Sequence, residues 1–153
     1  MEPPSRRRVV IDTDAKNEAD DQFAIVHALL SPSLDVRGLI AAHFGTSRSD
    51  RSLEESREEI DLLLRLMGLE QHVTAANGAP TGIPDEQTPR NSPGAQLIIA
   101  ESKLASPNDP LFVAFLGPLT DMASAILLDP AIVGREVVVI WIGGVGYGGV
   151  ETY

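Results

Sequence analysis

Apolar and polar residues come in blocks along the chain that predict strand and helix by turns. Val9–Ile11 is a short β-branched run closed by Asp12, the pattern of a buried strand. After Asp20 and Asp21, Phe23, Ala24, Val26, His27 and Leu30 recur at helical spacing. Ile25 and Leu29 fill the remaining sides, so this helix is expected to be well buried; Ser31-Pro32 ends it. A second strand is expected over Val36–Phe44, closed by Gly45. An amphipathic helix follows over Ser52–Met67, with Leu53, Ile60, Leu63, Leu64 and Met67 on one face and Glu54, Glu55, Glu58 and Glu59 toward water. Gly68 stands where a helix C-cap belongs. Val73-Thr74 is expected as a brief strand, residues 77–93 as a loop, and Gly94–Leu104 as a modest helix. The apolar strand Leu111–Leu116 leads through Gly117-Pro118 into a helix over Leu119–Leu128. Val137–Ile142, VVVIWI, is the most hydrophobic strand, and Trp141 in it is expected to pack in the core.

This alternation predicts an α/β fold with a doubly wound, mainly parallel sheet and flanking helices. Ligands in such sheets bind outside the carboxyl ends of the strands. Three segments fall there: Asp12 to Asp21, Gly117 to Asp121, and Gly143 to Gly149. The last contains a G-x-G-x-x-G pattern, which is weak without a following helix and acidic residue. With 153 residues there is room for one such domain, expected over residues 9–153 behind a flexible leader at residues 1–8.

Charge and composition narrow the function. The net charge is −10, from 22 acidic and 12 basic residues, which disfavours a nucleic-acid binder, since that would need a basic face. There is no cysteine, hence no disulfide, zinc–thiolate site or thiol nucleophile. No apolar run approaches the roughly 20 residues of a membrane span. MEPPSRRR lacks the apolar stretch of a signal peptide, so a cytoplasmic location is expected.

The densest chemistry is the cluster Asp12, Asp14, Asp20 and Asp21 at the mouth of the first strand. Singly, each reads as an N-cap or strand-end residue. Together they repel unless protons or a cation are present. Carboxylates are natural ligands for calcium, which takes six to eight oxygens. An EF-hand loop starting at Asp12 fails, because its sixth and twelfth positions are Asn17 and Phe23 rather than Gly and Glu. A haloacid-dehalogenase-like phosphatase would use Asp12-Thr13-Asp14, with Asp12 as nucleophile, but leaves the Asp20-Asp21 pair unexplained.

The segment VVIDTDAKNEADDQFAIVHALL resembles the signature of the inosine-uridine-preferring nucleoside hydrolases. In that family a strand ends in Asp-x-Asp and a short loop leads to Asp-Asp opening a helix. FLGPLTDMASAILLDP resembles the same family's strand–turn–helix, and WIGGVGYGG its glycine-rich strand end. The resemblance implies hydrolysis of the N-glycosidic bond of a ribonucleoside by a calcium-bound water that an aspartate activates. It implies that Asp14 is calcium ligand and general base, that Asp21 is a calcium ligand, and that Asp20 binds a ribose hydroxyl. Asp12 would support the metal, and the Leu116 carbonyl would reach it. The Asp14–Asp20 loop is longer than the common form, with Lys16, Asn17 and Glu18 in place of its Pro-Gly turn. His43-Phe44-Gly45-Thr46 stands where many members carry Gly-Asn, so His43 is a candidate for the missing substrate contact or a core histidine. Asp121 replaces the usual asparagine and reads as a first-turn helix acid. The chain is expected to be the N-terminal half of such an enzyme. The alternatives are an inactive fragment with residual calcium or ribose binding, or an association module, with a homo-oligomer left open.

Overall fold

The computed structural model of the chain describes residues 6–143. It contains five strands: β1 (Arg7–Thr13), β2 (Leu34–Ala41), β3 (Ala75–Asn77), β4 (Leu111–Phe115) and β5 (Val137–Trp141). Between them run α1 (Asp20–Leu30), α2 (Ser52–Met67), α3 (Pro93–Ser102) and α4 (Thr120–Leu128), with a 3-10 turn over Pro130–Gly134. All neighbouring strands pair in parallel, in the order β3-β2-β1-β4-β5. The expected α/β sheet with flanking helices is therefore present.

The crossovers explain the layers. Steps β1→β2→β3 run one way along the sheet, and steps β3→β4→β5 run the other. Right-handed connections then put α1 and α2 on one face and α3 and α4 on the opposite face. Alternation along each strand feeds both sides. Val9, Ile11, Leu39 and Ala41 pack with Ile25, Ile60 and Leu64 under α1 and α2. Val10, Ile40, Val113 and Phe115 pack with Ile98, Met122 and Ala125 under α3 and α4. Gly68 caps α2 in the left-handed region (φ 67°), its N–H turned back to the Leu64 and Arg65 carbonyls.

Several expectations needed correction. β1 begins at Arg7, inside the expected leader; Arg8 is buried in an ion pair with Glu101 at 2.5 Å. β3 lies at Ala75–Asn77, two residues beyond Val73-Thr74, because pairing with Leu39–Ala41 sets its register. α1 buries only Asp21, Ile25 and Ala28, while Phe23 and Leu30 are 78% and 70% exposed. His27 is exposed as well. One stripe of α1 meets the sheet, and the apolar residues on its other side have no layer above them. β5 is an edge strand, and Trp141 is 45% exposed rather than in the core. The glycine-rich run from Gly144 to Gly149 lies outside the described residues.

Candidate functional site

Strand order reverses between β1 and β4, so the crevice between their carboxyl ends is where a ligand is expected. The β1 end delivers Asp12 and Asp14, and the first turn of α1 delivers Asp20 and Asp21. The Leu116 N–H donates to the Asp12 carbonyl at 2.8 Å, which lays the β4–α4 turn beside the cluster. Gly117 lets the turn lie this close to the cluster. A Cβ on it would lie 2.8 Å from Asp14 Cγ and Oδ1.

Three of the four aspartates are buried: Asp12 at 0% exposure, Asp21 at 4% and Asp14 at 7%. Asp20 is exposed in the first turn of α1, close enough to Asp21 to bear on it. Asp21 Oδ2 accepts a 2.5 Å hydrogen bond from Thr13 Oγ1. Asp14 Oδ2 accepts one from Asn17 Nδ2 at 3.0 Å. Among the described residues, neither carboxylate oxygen of Asp12 has a donor, although both are shielded from solvent. Such a group is costly in its charged form.

The electrostatics follow from that burial. Loss of solvent, reinforced by the neighbouring Asp121 and Asp14, pushes Asp12 well above the usual carboxylate range. Burial also raises Asp14, against the hydrogen bonds that favour its charge. Asp21 is pushed up to about 6, chiefly by burial, with Asp14 and Asp20 adding repulsion and Thr13 opposing it. The cluster is a set of acids short of positive charge. Lys16 does not supply it, because its ammonium pairs with Glu59 on α2 at 2.8 Å.

Asp121 is the main residue that the sequence reading undervalued. It does open α4, but at 1% exposure it lies beneath the cluster beside Asp12. Its carboxylate accepts from Ala79 N at 3.1 and 3.2 Å and from the Ser92 hydroxyl. Ser92 in turn caps α3 by accepting from Ala95 N at 2.9 Å. A Cβ on Gly78 would collide with Asp121 Oδ2 at 2.2 Å, which explains a glycine in that loop. The available signal was a lone charged residue in the largely apolar helix TDMASAILL.

His43 follows β2 and faces the same crevice, close enough for Asp121 and Asp14 to bear on it. Its Nδ1 accepts from Gly45 N at 3.2 Å, so Nε2 carries the proton toward Thr120 Oγ1 at 3.0 Å. Burial lowers its pKa, consistent with a neutral ring. Both nitrogens are engaged within the protein. Trp141 Nε1 donates to the Gly117 carbonyl at 2.9 Å, so this exposed indole braces the turn against which Asp14 packs.

Among the described residues, no group of three or more acidic or histidine side chains is disposed to enclose a metal ion. The donor set nonetheless suits a hard cation in part. Asp12 has two unpartnered oxygens, and Asp14 and Asp21 are buried carboxylates with raised affinity for protons.

Comparison with known proteins gives this geometry a context. Residues 9–152 match the family described as inosine-uridine preferring nucleoside hydrolase. A probable uridine nucleosidase 2 of Arabidopsis thaliana is 30% identical over 159 aligned positions, covering 91% of this chain and 48% of that protein. Among solved structures, the plant nucleoside hydrolase PpNRh1 superposes with a TM-score of 0.69 at 26% identity, over 94% of this chain and 49% of its own. A nucleoside hydrolase-related protein from Saccharophagus degradans shares the fold at a TM-score of 0.57 and 18% identity, over 90% of this chain and 38% of its own. The chain thus spans about half the length of the relatives it matches. With the family matched over nearly every residue, and its aspartate motif at the switch point of the sheet, the chain belongs to the inosine-uridine preferring nucleoside hydrolases.

Proposed function

We propose that the protein hydrolyses the N-glycosidic bond of ribonucleosides to free base and ribose, in cytoplasmic purine and pyrimidine salvage, with calcium as its metal. The observation that carries this reading is Asp12, wholly buried, with no donor to either oxygen among the described residues, beside the buried Asp14 and Asp21. A cation would relieve all three.

Asp12, Asp14 and Asp21 would hold calcium together with the Leu116 carbonyl. When bound, calcium supplies a Lewis acid that acidifies water and seats the ribose 2′- and 3′-hydroxyls. The remaining work falls to the chain itself. Asp14 takes a proton from the water whose oxygen adds to C1′, while the electron pair of the breaking C1′–N bond leaves with the base, which takes up a proton from solvent. The buried carboxylates stabilise positive charge developing on the ribose ring. Asp20 accepts a hydrogen bond from a ribose hydroxyl. His43, tied to Thr120, forms a wall of the sugar pocket.

Ribose release from uridine and inosine in calcium-containing buffer tests the proposal. Asp14→Ala is expected to lower turnover by about 10²–10⁴-fold, the usual worth of a general base. Equal turnover by wild type and Asp14→Ala would overturn it. A second reading is favoured by the incomplete enclosure of the cluster: the chain binds calcium and ribose without turning substrate over. Calorimetric calcium uptake without ribose release would select that reading.

A further inference from the structure

The longer loop between Asp14 and Asp20 contains a relay that the sequence reading did not assign. Asn17 sits at its centre. Its Nδ2 donates to Asp14 Oδ2 at 3.0 Å, and its backbone N–H donates to the Asp14 carbonyl at 2.7 Å. On the other side, Arg48 Nη1 donates to both the Asn17 side-chain oxygen and the Asn17 carbonyl, each at 2.7 Å. A guanidinium only donates and an ionised carboxylate only accepts. A side-chain amide between them has one orientation that satisfies both, so the direction of the Asn17 amide is fixed by its neighbours.

Arg48 belongs to the segment between β2 and α2 that also carries His43. The relay therefore ties two loops at the carboxyl edge of the sheet to one oxygen of Asp14. Gly117 closes the opposite side, where even a methyl group would strike Asp14 Oδ1. Held at Oδ2 and confined at Oδ1, the Asp14 carboxylate has little rotational freedom.

We propose that Asn17 is a positioning residue for Asp14 and that Arg48 acts through Asn17, a role that rests on the function proposed above. Residues that orient a metal-binding or catalytic group typically contribute about 10- to 100-fold to affinity or rate. Asn17→Ala is expected to lower kcat for uridine by about that factor, with KM within about twofold, and to weaken calcium binding measured by calorimetry. Arg48→Ala should act in the same direction but less. Arg48→Lys, which keeps one donor, should restore part of the loss.

The deciding observation is the double variant. Asn17→Ala/Arg48→Ala should lose little beyond Asn17→Ala alone, since once the amide is gone Arg48 keeps only its bond to the residue-17 carbonyl and no longer reaches Asp14. Additive losses, or wild-type calcium affinity and turnover in Asn17→Ala, would overturn the proposal. The relay is also read without turnover, from the side-chain amide resonances of Asn17 in a ¹⁵N-labelled chain. They should move in both Asp14→Asn and Arg48→Lys, and amide signals indifferent to either change would overturn it. If the resonances move as expected but wild type neither binds calcium nor releases ribose, the nucleoside hydrolase activity fails while the geometry of the relay stands.

Discussion

Gly117→Ala probes the packing of Asp14 without touching a polar group. Gly117 does not have a positive φ, so alanine there creates no backbone strain, and the effect is steric. The added methyl carbon would lie 2.8 Å from Asp14 Cγ and Oδ1 and 3.1 Å from its Cβ. Carbon contacts are comfortable at about 3.5–4.0 Å, so Asp14 or the β4–α4 turn must yield by roughly 0.7–1 Å. Overpacking of that kind costs about 1–3 kcal/mol. In a domain of this size each kcal/mol lowers Tm by about 2–4 °C. A displacement near 1 Å at a reacting group costs about 10²-fold in rate. Thermal melts with and without calcium, together with ribose release, measure both effects. Gly68→Ala is the control: it has φ 67° and nothing within 4 Å, so it should lose about 1 kcal/mol of stability and leave calcium binding and turnover unchanged. A Gly117→Ala protein with the wild-type Tm and calcium response would refute the tight packing of Asp14 against this turn.

Three further outcomes are expected. Asp12→Asn replaces a buried carboxylate, costly whenever it is ionised and without a donor among the described residues, by an amide that can itself donate to Asp121. It should raise metal-free stability at pH 7 by about 1–3 kcal/mol in urea unfolding and abolish stabilisation by calcium. Ser92→Ala removes both the cap of α3 and a donor to Asp121, and should destabilise the fold by about 1–3 kcal/mol in the same assay. Metal-free stability should fall as pH rises. The folded state binds Asp21's proton more tightly than the unfolded chain between pH 3.8 and about 6, so the loss accumulates through that window and levels off above it. Asp21 contributes on the order of 1 to 3 kcal/mol of this loss. Asp12, Asp14 and Asp121 act in the same direction, while the lowered pKa of Glu59, beside the half-exposed Lys16, opposes them weakly. A flat or rising profile in EDTA would contradict the burial of the cluster.

The sheet was legible because β-branched runs and turn residues mark its strands directly, and the aspartate cluster because four acids after one strand have few other uses. Hydropathy alone misjudged α1 and Trp141. It reports that a residue is apolar, and whether a neighbouring layer exists to cover it is a property of the whole fold. Arg8 reads as part of the leader in the sequence because its buried partner, Glu101, lies 93 residues away. Asp121 and Asn17 looked like ordinary helix-start and loop residues for the same reason. Their partners, Ser92 and Ala79 in one case and Arg48 in the other, are distant in sequence.

The central claim is that the buried aspartates at the β1 end form a cation site. Thermal unfolding of the chain at pH 7 over a calcium titration tests it most directly. At tenfold excess over the dissociation constant, binding to the folded state adds about 1.4 kcal/mol. Tm should therefore rise saturably by about 3–6 °C, and neither Asp14→Ala nor Asp21→Ala should show the rise. A Tm indifferent to millimolar calcium, or one that rises equally in those two variants, would contradict the account.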